Sequence, residues 1–417
     1  MLFLLKNDNY ELFCRSILLN MKTIQVKYIG PISDSGKLVI TPVTLFCGRQ
    51  GSGKSTLAKL ISSCLWLEKG LIKGDVTIKY ITSYNRFKKE LCGYHQLTEF
   101  FTPKSFLRYE SDFFVFTYSE GRFNVTEKDK DGFLMPKIMY VPAERNFMVA
   151  VEHAERIKKL PASLQTLQDE YLRALNAMKG VASLYVNDMN IQYDKLNKVT
   201  WIVGDGFKTK ANQAASGFQS IAPLVLVSDY LAGMVNNDTA LAMSVEERNI
   251  LRREILKIQS NKKYTDEMKT LLLETLNSKL KLDCFWNIVE EPEQNLYPSS
   301  QRTVLDVLVK DFNQSTHNGL IITTHSPYIL NYLTLNIKAG MMAKKQPGSE
   351  DKIKKIVPQA SWLKADQVTV YEIQKDGTVS SLKKYDGMPS DDNYLNNALA
   401  ETNILFDRLL EIENGEN

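Results

Sequence analysis

A glycine-rich stretch that contains a single lysine constrains this chain more than any other part of its sequence. It matches the phosphate-loop pattern G-x-x-x-x-G-K-[ST]. The stretch consists of Gly48, Arg49, Gln50, Gly51, Ser52, Gly53, Lys54 and Ser55, and it is followed by Thr56. Its glycines let the backbone curl so that successive N–H groups converge on phosphate oxygens. The pattern predicts a nucleoside-triphosphate site in which Lys54 contacts the β and γ phosphates and Ser55 is a ligand of Mg²⁺.

The segments on both sides of this loop are of the kind that a phosphate loop requires. Residues 43–47 are mostly apolar and predict a buried strand, whereas Leu57, Leu60 and Ile61 recur at helical spacing until Gly70. A strand–loop–helix unit directs the partial positive charge of the helix N-terminus at the phosphates. The sequence therefore predicts an α/β fold of the P-loop NTPase class, with ATP and Mg²⁺ as its cofactors.

Composition adds few further limits. The 417 residues carry a net charge of +4, which neither demands nor excludes nucleic acid as a partner. The five cysteines form no C-x-x-C pair, which is typical of a reducing, cytoplasmic protein without a disulfide or zinc framework. No apolar run approaches the roughly 18 residues of a membrane span, so no membrane partner is expected.

A second apolar segment predicts the metal-binding half of the nucleotide site. Residues 285–289 are mostly apolar and lead directly into Glu290 and Glu291. A buried strand that delivers carboxylates at its C-terminal end is how phosphate-loop enzymes place a partner for magnesium. We expect Glu290 to act on Mg²⁺, directly or through water, and Glu291 to polarise the attacking water. Without the phosphate loop, these residues could equally be the solvated start of the helix predicted at 298–312.

Two weaker signals complete the predicted site. Residues 319–324 predict a buried strand that ends at His325, where a neutral imidazole can hydrogen-bond the γ-phosphate or the attacking water. The segment 215–219 places Ser216 and Gly217 at the start of an apolar helix, which forms an anion site from backbone N–H groups. Many helices begin with Ser–Gly, so this segment is informative only together with the others.

The remaining elements predict a mixed architecture. Aromatic and β-branched residues alternate between 76 and 125, as in an antiparallel β lobe, and residues 137–141 predict a further buried strand. A hairpin is expected at 368–382. Three regions are predicted: a leader (1–20), an ATPase head (21–345) with helical inserts at about 150–195 and 244–281, and a C-terminal hairpin and helix (346–417).

Taken in order, these motifs resemble the ABC-type heads of AAA-family ATPases, in particular the OLD-like and SMC-like ATPases of bacterial defence systems. The resemblance is carried by the phosphate loop, Ala215-Ser216-Gly217-Phe218-Gln219, Glu290-Glu291-Pro292-Glu293 with Leu296-Tyr297-Pro298, Thr324-His325-Ser326-Pro327, and the stretch 140–145. Tyr297 replaces the usual histidine. Ala215 and Phe218 stand where transporter ATPases have Leu and a second Gly, which argues against a transporter subunit. The Q-loop glutamine is uncertain, with Gln96 and the segment 144–145 as candidates.

The resemblance implies a head that dimerises head-to-tail on ATP, as a homodimer or a higher oligomer. The trans signature would be Ser216, Gly217 and Gln219 of one subunit, covering the γ-phosphate bound by Lys54 of the other. Glu291 would activate water and His325 would sense the γ-phosphate. Hydrolysis would reopen the interface, so that ATP controls an assembly state.

The resemblance also leaves two functions open. OLD nucleases carry a Toprim nuclease after the ATPase, but fewer than 100 residues follow His325 here, without a strand that ends in a D-x-D pair. This favours a sensor or scaffold subunit that controls a separate effector, a nuclease or a toxin, as in the PARIS and Septu antiphage systems. The alternative is a DNA-repair or recombination clamp of the SMC/OLD type that binds DNA.

The phosphate loop generates the first prediction. Substitution Lys54→Ala is expected to abolish nucleotide binding, because it removes the cation that contacts the β and γ phosphates. Isothermal titration of the folded protein with Mg²⁺-ATP measures this directly. Unchanged affinity in the variant would contradict the assignment of the loop.

Overall fold

The structure is a computed structural model that describes residues 22–129, 132–151, 157, 159–235, 245–261 and 263–414. The predicted leader lies outside the described residues. So does Ser244, the predicted start of the second helical insert. Within the described ranges, the chain forms two main sheets and one smaller four-stranded sheet, with helices packed between and around them.

A central six-stranded sheet organises the molecule. Its spatial order is β16-β15-β4-β14-β13-β8, and all strands except the edge strand β16 run parallel. The strands are β4 (Val43–Gly48), β8 (Pro136–Val141), β13 (Cys284–Glu290), β14 (Gly319–Thr324), β15 (Val368–Ile373) and β16 (Val379–Ser381). Every residue of β4 and β14 is buried, as expected for parallel strands covered on both faces, whose sequences are continuous apolar runs.

The position of β15 corrects the predicted C-terminal extension. The hairpin expected at 368–382 is present as β15 and β16, but β15 pairs with β4 in the central sheet, with Val368 opposite Val43 and Ile373 opposite Gly48. The segment after residue 345 therefore supplies part of the main core. Alternating apolar residues predict a hairpin, but they carry no information about a partner strand more than 300 residues away.

The predicted antiparallel lobe is confirmed from residue 101 onwards, whereas residues 78–82 and 87–92, within the stretch predicted as alternating strands, are helical. Its strands are β1 (Lys22–Ile29), β2 (Ile32–Asp34), β3 (Leu38–Ile40), β5 (Phe101–Glu110), β6 (Phe114–Ser119) and β7 (Arg122–Glu127). Their order is β2-β1-β5-β6-β7, with β3 also paired to β1. Helix α1 (Lys54–Lys73) lies between this lobe and the central sheet, and its Leu57, Leu60 and Ile61 are fully buried in the shared core. A short helix, α2 (Ile78–Thr82), and a π turn at Phe87–Cys92 follow.

The opposite face of the central sheet is covered by helices. These are α3 (Phe147–Ala150), α4 (Ala162–Ala177), α5 (Ser216–Val235), α8 (Pro298–Phe312) and α9 (Pro327–Lys345). Val43, Leu45 and Cys47 of β4 face this helical core, whereas Phe46 faces α1 and the lobe. That alternation is the period of two of a strand, and it shows that β4 separates two hydrophobic cores.

The first predicted insert is helical only in part. Residues 162–177 form α4, but β9 (Val181–Ser183) and β10 (Asn190–Asp194) join β11 (Val199–Gly204) and β12 (Phe207–Lys210) in a four-stranded antiparallel sheet. Strands β9 and β10 have only three and five residues, so their sequence has little alternation to reveal them. The second insert forms two helices as expected, α6 (Val245–Ser260) and α7 (Asp266–Leu280).

Among the long helices that the structure describes, α5 has the most apolar composition. Among the described residues it alone is long and apolar enough to cross a membrane by length and composition, with a mean hydropathy of 1.4, and 67% of that window is buried inside the molecule. It packs against α4, α8 and β13. Burial against these elements on most sides accounts for its composition.

The C-terminal part continues with small elements and a long helix. Helix α10 (Glu350–Lys354) precedes β15, and the hairpin β17 (Lys384–Tyr385) and β18 (Met388–Pro389) follows β16. The last element is α11 (Tyr394–Glu413). Leu363, in the loop before β15, donates its N–H to the Asn336 carbonyl of α9 and thereby ties this region to the helical layer.

The close approach of that loop to α9 generates the second prediction. A Cβ atom at Gly340 would clash with the Leu363 carbonyl oxygen. Because this oxygen belongs to the backbone, it cannot rotate away. Substitution Gly340→Ala is therefore expected to lower the free energy of unfolding by about 2 kcal/mol, in spite of alanine's higher helix propensity. Urea denaturation measures the difference.

Gly233 provides the matched control. It is also helical, in α5, and a Cβ atom there would meet nothing within 4 Å. Gly233→Ala is expected to raise the free energy of unfolding by about 0.5–1 kcal/mol, the usual helix-propensity gain. If both substitutions stabilise the protein, the packing of residue 363 onto α9 is wrong.

Candidate nucleotide-binding site

The phosphate loop adopts a conformation that only glycine accommodates without strain. Gly48, Gly51 and Gly53 have φ angles of 142°, 74° and 107°. A Cβ atom on Gly48 would lie 2.7 Å from the Ile373 carbonyl oxygen of β15. The loop is thus fixed against the neighbouring strand as well as curled, which keeps its N–H groups directed to one point.

Lys54 lies at the centre of this curl. Its side chain is buried, and its ammonium donates to the carbonyl oxygens of Gly48, at 3.0 Å, and Arg49, at 2.7 Å. Burial lowers the pKa of Lys54, and the nearby carboxylates Glu291 and Glu293 oppose that shift. The cation is therefore held inside the loop, facing the ends of the strands that carry the acidic residues.

The other residues of the loop differ in exposure. Arg49 and Gln50 are exposed, Ser55 is partly exposed and Thr56 is buried. The Ser52 N–H donates to the Arg49 carbonyl at 3.3 Å. Ser55, the first residue after Lys54 in α1, is therefore accessible to a ligand at the mouth of the loop.

The register of the central sheet brings the predicted strand ends together. Thr324 pairs with Cys47 and Thr323 pairs with Glu290, so β4, β14 and β13 end at one edge of the sheet. The phosphate loop, the acidic segment and His325 each begin where one of these strands ends. This edge, beyond the carboxyl ends of parallel strands, is where ligands bind in open α/β sheets.

Glu290 has one carboxylate oxygen that lacks a hydrogen-bond partner. The residue is buried, and its Oε2 accepts the Ala143 N–H at 3.2 Å. Its Oε1 has no hydrogen-bond partner, and the Lys59 ammonium is 4.0 Å away. A buried carboxylate oxygen without a partner is costly unless a cation binds it. This donor fits a Mg²⁺ ion shared with the Ser55 hydroxyl.

Magnesium at a phosphate loop needs few protein ligands. Among the described residues, no group of three or more His, Cys, Asp and Glu side chains could hold a metal ion by itself. A phosphate-loop site supplies Mg²⁺ with one hydroxyl, one carboxylate and oxygens of the nucleotide. The donor set of Ser55 and Glu290 fits that pattern.

Glu291 and His325 form a pair at the mouth of the site. His325 Nδ1 is 3.4 Å from Glu291 Oε1, and both side chains are partly exposed. The hydrogen bond to His325 lowers the pKa of Glu291 in spite of partial burial, and the same hydrogen bond raises the pKa of His325. Glu291 is therefore ionised at neutral pH, which a proton acceptor requires. Its left-handed backbone, with φ 43°, turns the chain away from β13.

Glu293 is a site residue to which the sequence analysis assigned no role. It is buried, and its Oε1 accepts from the Thr324 hydroxyl at 2.7 Å and from the His325 N–H at 2.8 Å. Burial raises its pKa. These bonds fix the backbone of His325 against the acidic segment. The spacing E-E-P-E was visible in the sequence, but a third acidic residue after a proline has the same pattern as a solvated turn.

Arg145 belongs to the segment 144–145, which the sequence analysis named only as a candidate for the Q-loop. Its side chain is fully buried. The guanidinium donates to the carbonyl oxygens of Glu290 at 2.7 Å, Glu291 at 2.6 Å and Ser220 at 3.2 Å. Burial lowers its pKa to about 10, and Glu293 and Glu291 oppose the shift. Arg145 therefore joins the end of β13 to the first turns of α5. A motif at 140–145 was recognisable, but no pattern indicates which carbonyls an arginine will reach.

The predicted trans signature lies at the exposed N-terminus of α5. Ser216 is exposed, and Gly217 is packed so closely that an added Cβ would lie 2.9 Å from the Asn295 carbonyl oxygen. The Gln219 amide donates to the carbonyl oxygens of Asn212 and Ala214, both at 3.0 Å. It therefore holds the segment that precedes α5 in the same chain. The turn can therefore face a second molecule through Ser216 and Gly217, whereas the Gln219 amide is engaged locally.

The candidate Q-loop residue Gln96 follows the buried His95, whose ring packs against Tyr140 of β8. Gln96 is exposed and has a left-handed φ of 59° in the loop before β5. Tyr297, which stands where histidine is usual, is 77% exposed just before α8. Neither side chain takes part in the hydrogen bonds that join the strand ends.

The phosphate loop between β4 and α1 and the parallel sheet around it together decide the architecture. The chain has an α/β fold of the P-loop ATPase type. A family model described as an AAA domain, a putative AbiEii toxin of a type IV toxin–antitoxin system, matches residues 287–331. This match covers β14, most of β13 and the acidic segment between them.

Many solved structures are similar to the chain, and two of them serve as examples. One is the SMC head domain from Thermotoga maritima, at 10% identity and a TM-score of 0.36, covering 88% of this chain and 99% of that one. The other is the recombination mediator protein RecF bound to ATPrS, of the RecFOR pathway, at 12% identity and a TM-score of 0.31, covering 87% and 98%. No curated protein matches the sequence.

Arg145 generates the third prediction. Arg145→Met is expected to lower the free energy of unfolding by about 3 kcal/mol, because several buried carbonyl groups lose a charged donor. The free energy of unfolding of Arg145→Lys is expected to lie between those of Arg145→Met and the wild type, since an ammonium cannot reproduce the planar fork of a guanidinium. Urea denaturation measures both.

Arg173→Met is the control for this prediction. Arg173 pairs with Glu170 at 3.1 Å, but its side chain is partly exposed and Glu170 keeps Lys137 at 2.7 Å. Its loss is expected to cost less than about 1 kcal/mol. Equal costs for Arg145→Met and Arg173→Met would show that the buried guanidinium does not join the strand ends.

Proposed function

We propose that this protein is an ATPase that binds ATP with Mg²⁺ and hydrolyses it in sites shared between two copies of the chain. The observation that carries the proposal is the meeting of Lys54, Glu290, Glu291 and His325 at one edge of the central sheet. Within one chain this edge has a phosphate loop, a metal donor and a proton acceptor. The exposed turn at Ser216 supplies the surface for a second copy.

Each residue has a defined part in the proposed reaction. Lys54 binds the β and γ phosphates, and Glu290 with Ser55 holds Mg²⁺, which neutralises charge that develops on the phosphate oxygens. Glu291 accepts a proton from the attacking water, since its lowered pKa keeps it ionised. His325, positioned through its N–H by Glu293, orients that carboxylate and lies close enough to respond to the γ-phosphate.

The composite site follows from the position of the α5 N-terminus. Helix α5 begins at the exposed Ser216, and the N–H groups of Phe218 and Gln219 donate to the Ala215 carbonyl. The anion site would therefore be formed by the N–H groups of Ser216 and Gly217. In a head-to-tail dimer, Ser216 and Gly217 of one copy would cover the γ-phosphate held by the other. A movement of the backbone at Glu290 and Glu291 would then reach the first turns of α5 through the hydrogen bonds that Arg145 makes to both segments.

We further propose that this ATP-driven assembly controls a separate effector, a nuclease or a toxin, in an antiphage system of the OLD-like type, such as PARIS or Septu. The order of motifs supports this, as does the description of the matched family model as a putative toxin of a toxin–antitoxin system. The described residues contain no metal cluster that would serve a second, metal-dependent active site.

A DNA clamp is the second candidate, and one surface favours it. On the lobe, Arg86 stacks between Tyr80 and Tyr84, at 3.8 Å and 5.2 Å from their rings, and Tyr84 is 81% exposed. Exposed aromatic rings beside basic side chains are the features that bind single-stranded nucleic acid. ATP turnover that rises with DNA and falls steeply with salt would favour the clamp.

The catalytic assignment generates the fourth prediction. Glu291→Gln is expected to retain ATP binding but to lower turnover by roughly 100-fold or more, because it removes the proton acceptor. It should also trap an ATP-dependent dimer. Phosphate release measures the first effect, and light scattering after gel filtration, with and without ATP, measures the second. Glu127→Gln is the control, because Glu127 is exposed on β7 of the lobe, and it should behave as wild type. Wild-type turnover in Glu291→Gln would exclude the assignment.

Mixing two inactive variants tests whether the site is composite. Lys54→Ala cannot hold the phosphates, and Ser216→Arg blocks the trans surface, so each is expected to be inactive alone. A mixed dimer restores one intact site, with Lys54 from one copy and Ser216 from the other. An equimolar mixture should therefore regain about a quarter of wild-type turnover. No recovery would place the complete site within one chain.

A further inference from the structure

The C-terminal part of the chain contacts the first two residues of the phosphate loop. Strand β15 ends beside the loop, because Ile373 pairs with Gly48. The chain then returns to the loop at Tyr394, the first residue of α11, whose ring centroid lies 4.6 Å from the guanidinium carbon of Arg49. This distance is that of a cation–π contact. The loop is therefore held from a segment that is distant in the sequence.

The aromatic ring holds the Arg49 side chain without help from a carboxylate. In the part of the chain that the structure describes, the Arg49 side chain forms no ion pair. Gln50 and Gly51, the next two residues, are exposed, and a Cβ atom on Gly51 would meet nothing within 4 Å. Tyr394 thus supports an exposed part of the loop that has few other contacts.

Arg49 also contacts Lys54 through its backbone. Its carbonyl oxygen accepts from the Lys54 ammonium at 2.7 Å and from the Ser52 N–H at 3.3 Å. Residue 49 is therefore part of the structure that holds Lys54 and the following N–H groups in place. Loss of its side-chain contact would leave this part of the loop with more conformational freedom.

Tyr394 is itself fixed to the central sheet. Its N–H donates to Glu372 Oε1 at 2.6 Å, and Glu372 lies opposite Cys47 of β4. The next residue of α11, Leu395, is buried in the helical core. The ring therefore cannot move without displacing β15 or the base of α11, which makes it a rigid support for the guanidinium.

We propose that Tyr394 is a positioning residue for nucleotide binding: through Arg49 it holds the phosphate loop in the conformation that receives the phosphates. The proposal rests on the proposed function, because it concerns the same loop. A loop that is held before its ligand arrives loses less conformational freedom on binding, and it binds more tightly for that reason.

The position of Tyr394 in the fold separates affinity from catalysis. Strand β15, to which Tyr394 is hydrogen-bonded, lies on the opposite side of β4 from β14 and β13. Glu291 and His325 follow β13 and β14 and lie beyond that other side. Removal of the ring is therefore expected to change the affinity for the nucleotide and to leave the chemical step as it is.

Isothermal titration of the full chain tests the proposal. The probe is Mg²⁺ with adenylyl imidodiphosphate, an ATP analogue that is not hydrolysed. Tyr394→Ala is expected to raise the Kd at least about threefold, the effect of losing an exposed cation–π contact. With ATP, its KM should rise by a similar factor while kcat stays within about twofold of the wild type. Tyr394→Phe keeps the ring and should return the Kd to the wild-type value.

A double-mutant cycle shows whether the ring acts through Arg49. In the Arg49→Ala background, Tyr394→Ala is expected to cause no further rise in Kd, because the contact is already lost. A purely structural role of Tyr394 would give the same rise in both backgrounds. Tyr385→Ala is the control: Tyr385 is 61% exposed on β17, in the same part of the chain, and its loss should not affect binding.

Three results would overturn the proposal. These are an unchanged or lower Kd in Tyr394→Ala, a Kd in Tyr394→Phe as high as in Tyr394→Ala, or an equal rise with and without Arg49. A lower Kd would show that the ring withholds Arg49 from the phosphates. If circular dichroism shows that Tyr394→Ala does not fold, Tyr394→Leu replaces it, since leucine is a good helix former without a π face.

The wild-type titration separates this proposal from the proposed function. A wild-type protein that does not bind the analogue would contradict both. A wild-type protein that binds it, together with a Tyr394→Ala variant that binds it equally well, would contradict only the positioning role. The proposed ATPase function would then stand.

Discussion

The parallel register of β13, β14 and β4 is the constraint on which the rest of the structure depends. Because Glu290 lies opposite Thr323 and Thr324 lies opposite Cys47, three segments that are distant in the chain end at one edge. A shift of one residue would turn each side chain of β4 to the opposite core, so that Val43, Leu45 and Cys47 would face the lobe and Phe46 would face the helical layer. The position of the site therefore follows from the register of the strands that separate the two hydrophobic cores.

Within that frame, hydrogen bonds to backbone groups fix the site more than contacts between side chains do. Arg145 binds carbonyl oxygens of the β13 end and of α5, and Glu293 binds the N–H of His325. Backbone partners cannot change rotamer, so both residues hold chain segments rather than individual side chains. The functional groups Glu291 and His325 stay partly exposed, where they can reach a ligand.

The sequence allowed the local elements and the strand-end residues to be predicted, because each follows from a short-range rule. Lys54, Glu290 and His325 follow buried strands, and the end of a parallel strand is a place of known chemistry. What could not be predicted depends on partners distant in the chain. No periodic pattern in the sequence indicates that β15 pairs with β4 or that Arg145 contacts the Ser220 carbonyl. The strand β10 is also too short to show a pattern.

The charge distribution explains why a site rich in carboxylates can bind an anionic nucleotide. Glu290, Glu291 and Glu293 would repel phosphates if they stood alone. The buried guanidinium of Arg145 and the ammonium of Lys54 lie near these carboxylates. Burial lowers the pKa of each cation, and the carboxylates oppose that shift. The two cations are held at different depths: Arg145 is fully buried and bound to backbone, whereas Lys54 lies in the loop. Arg145 therefore offsets the carboxylates permanently, which leaves Lys54 free to exchange its loop carbonyls for phosphate oxygens.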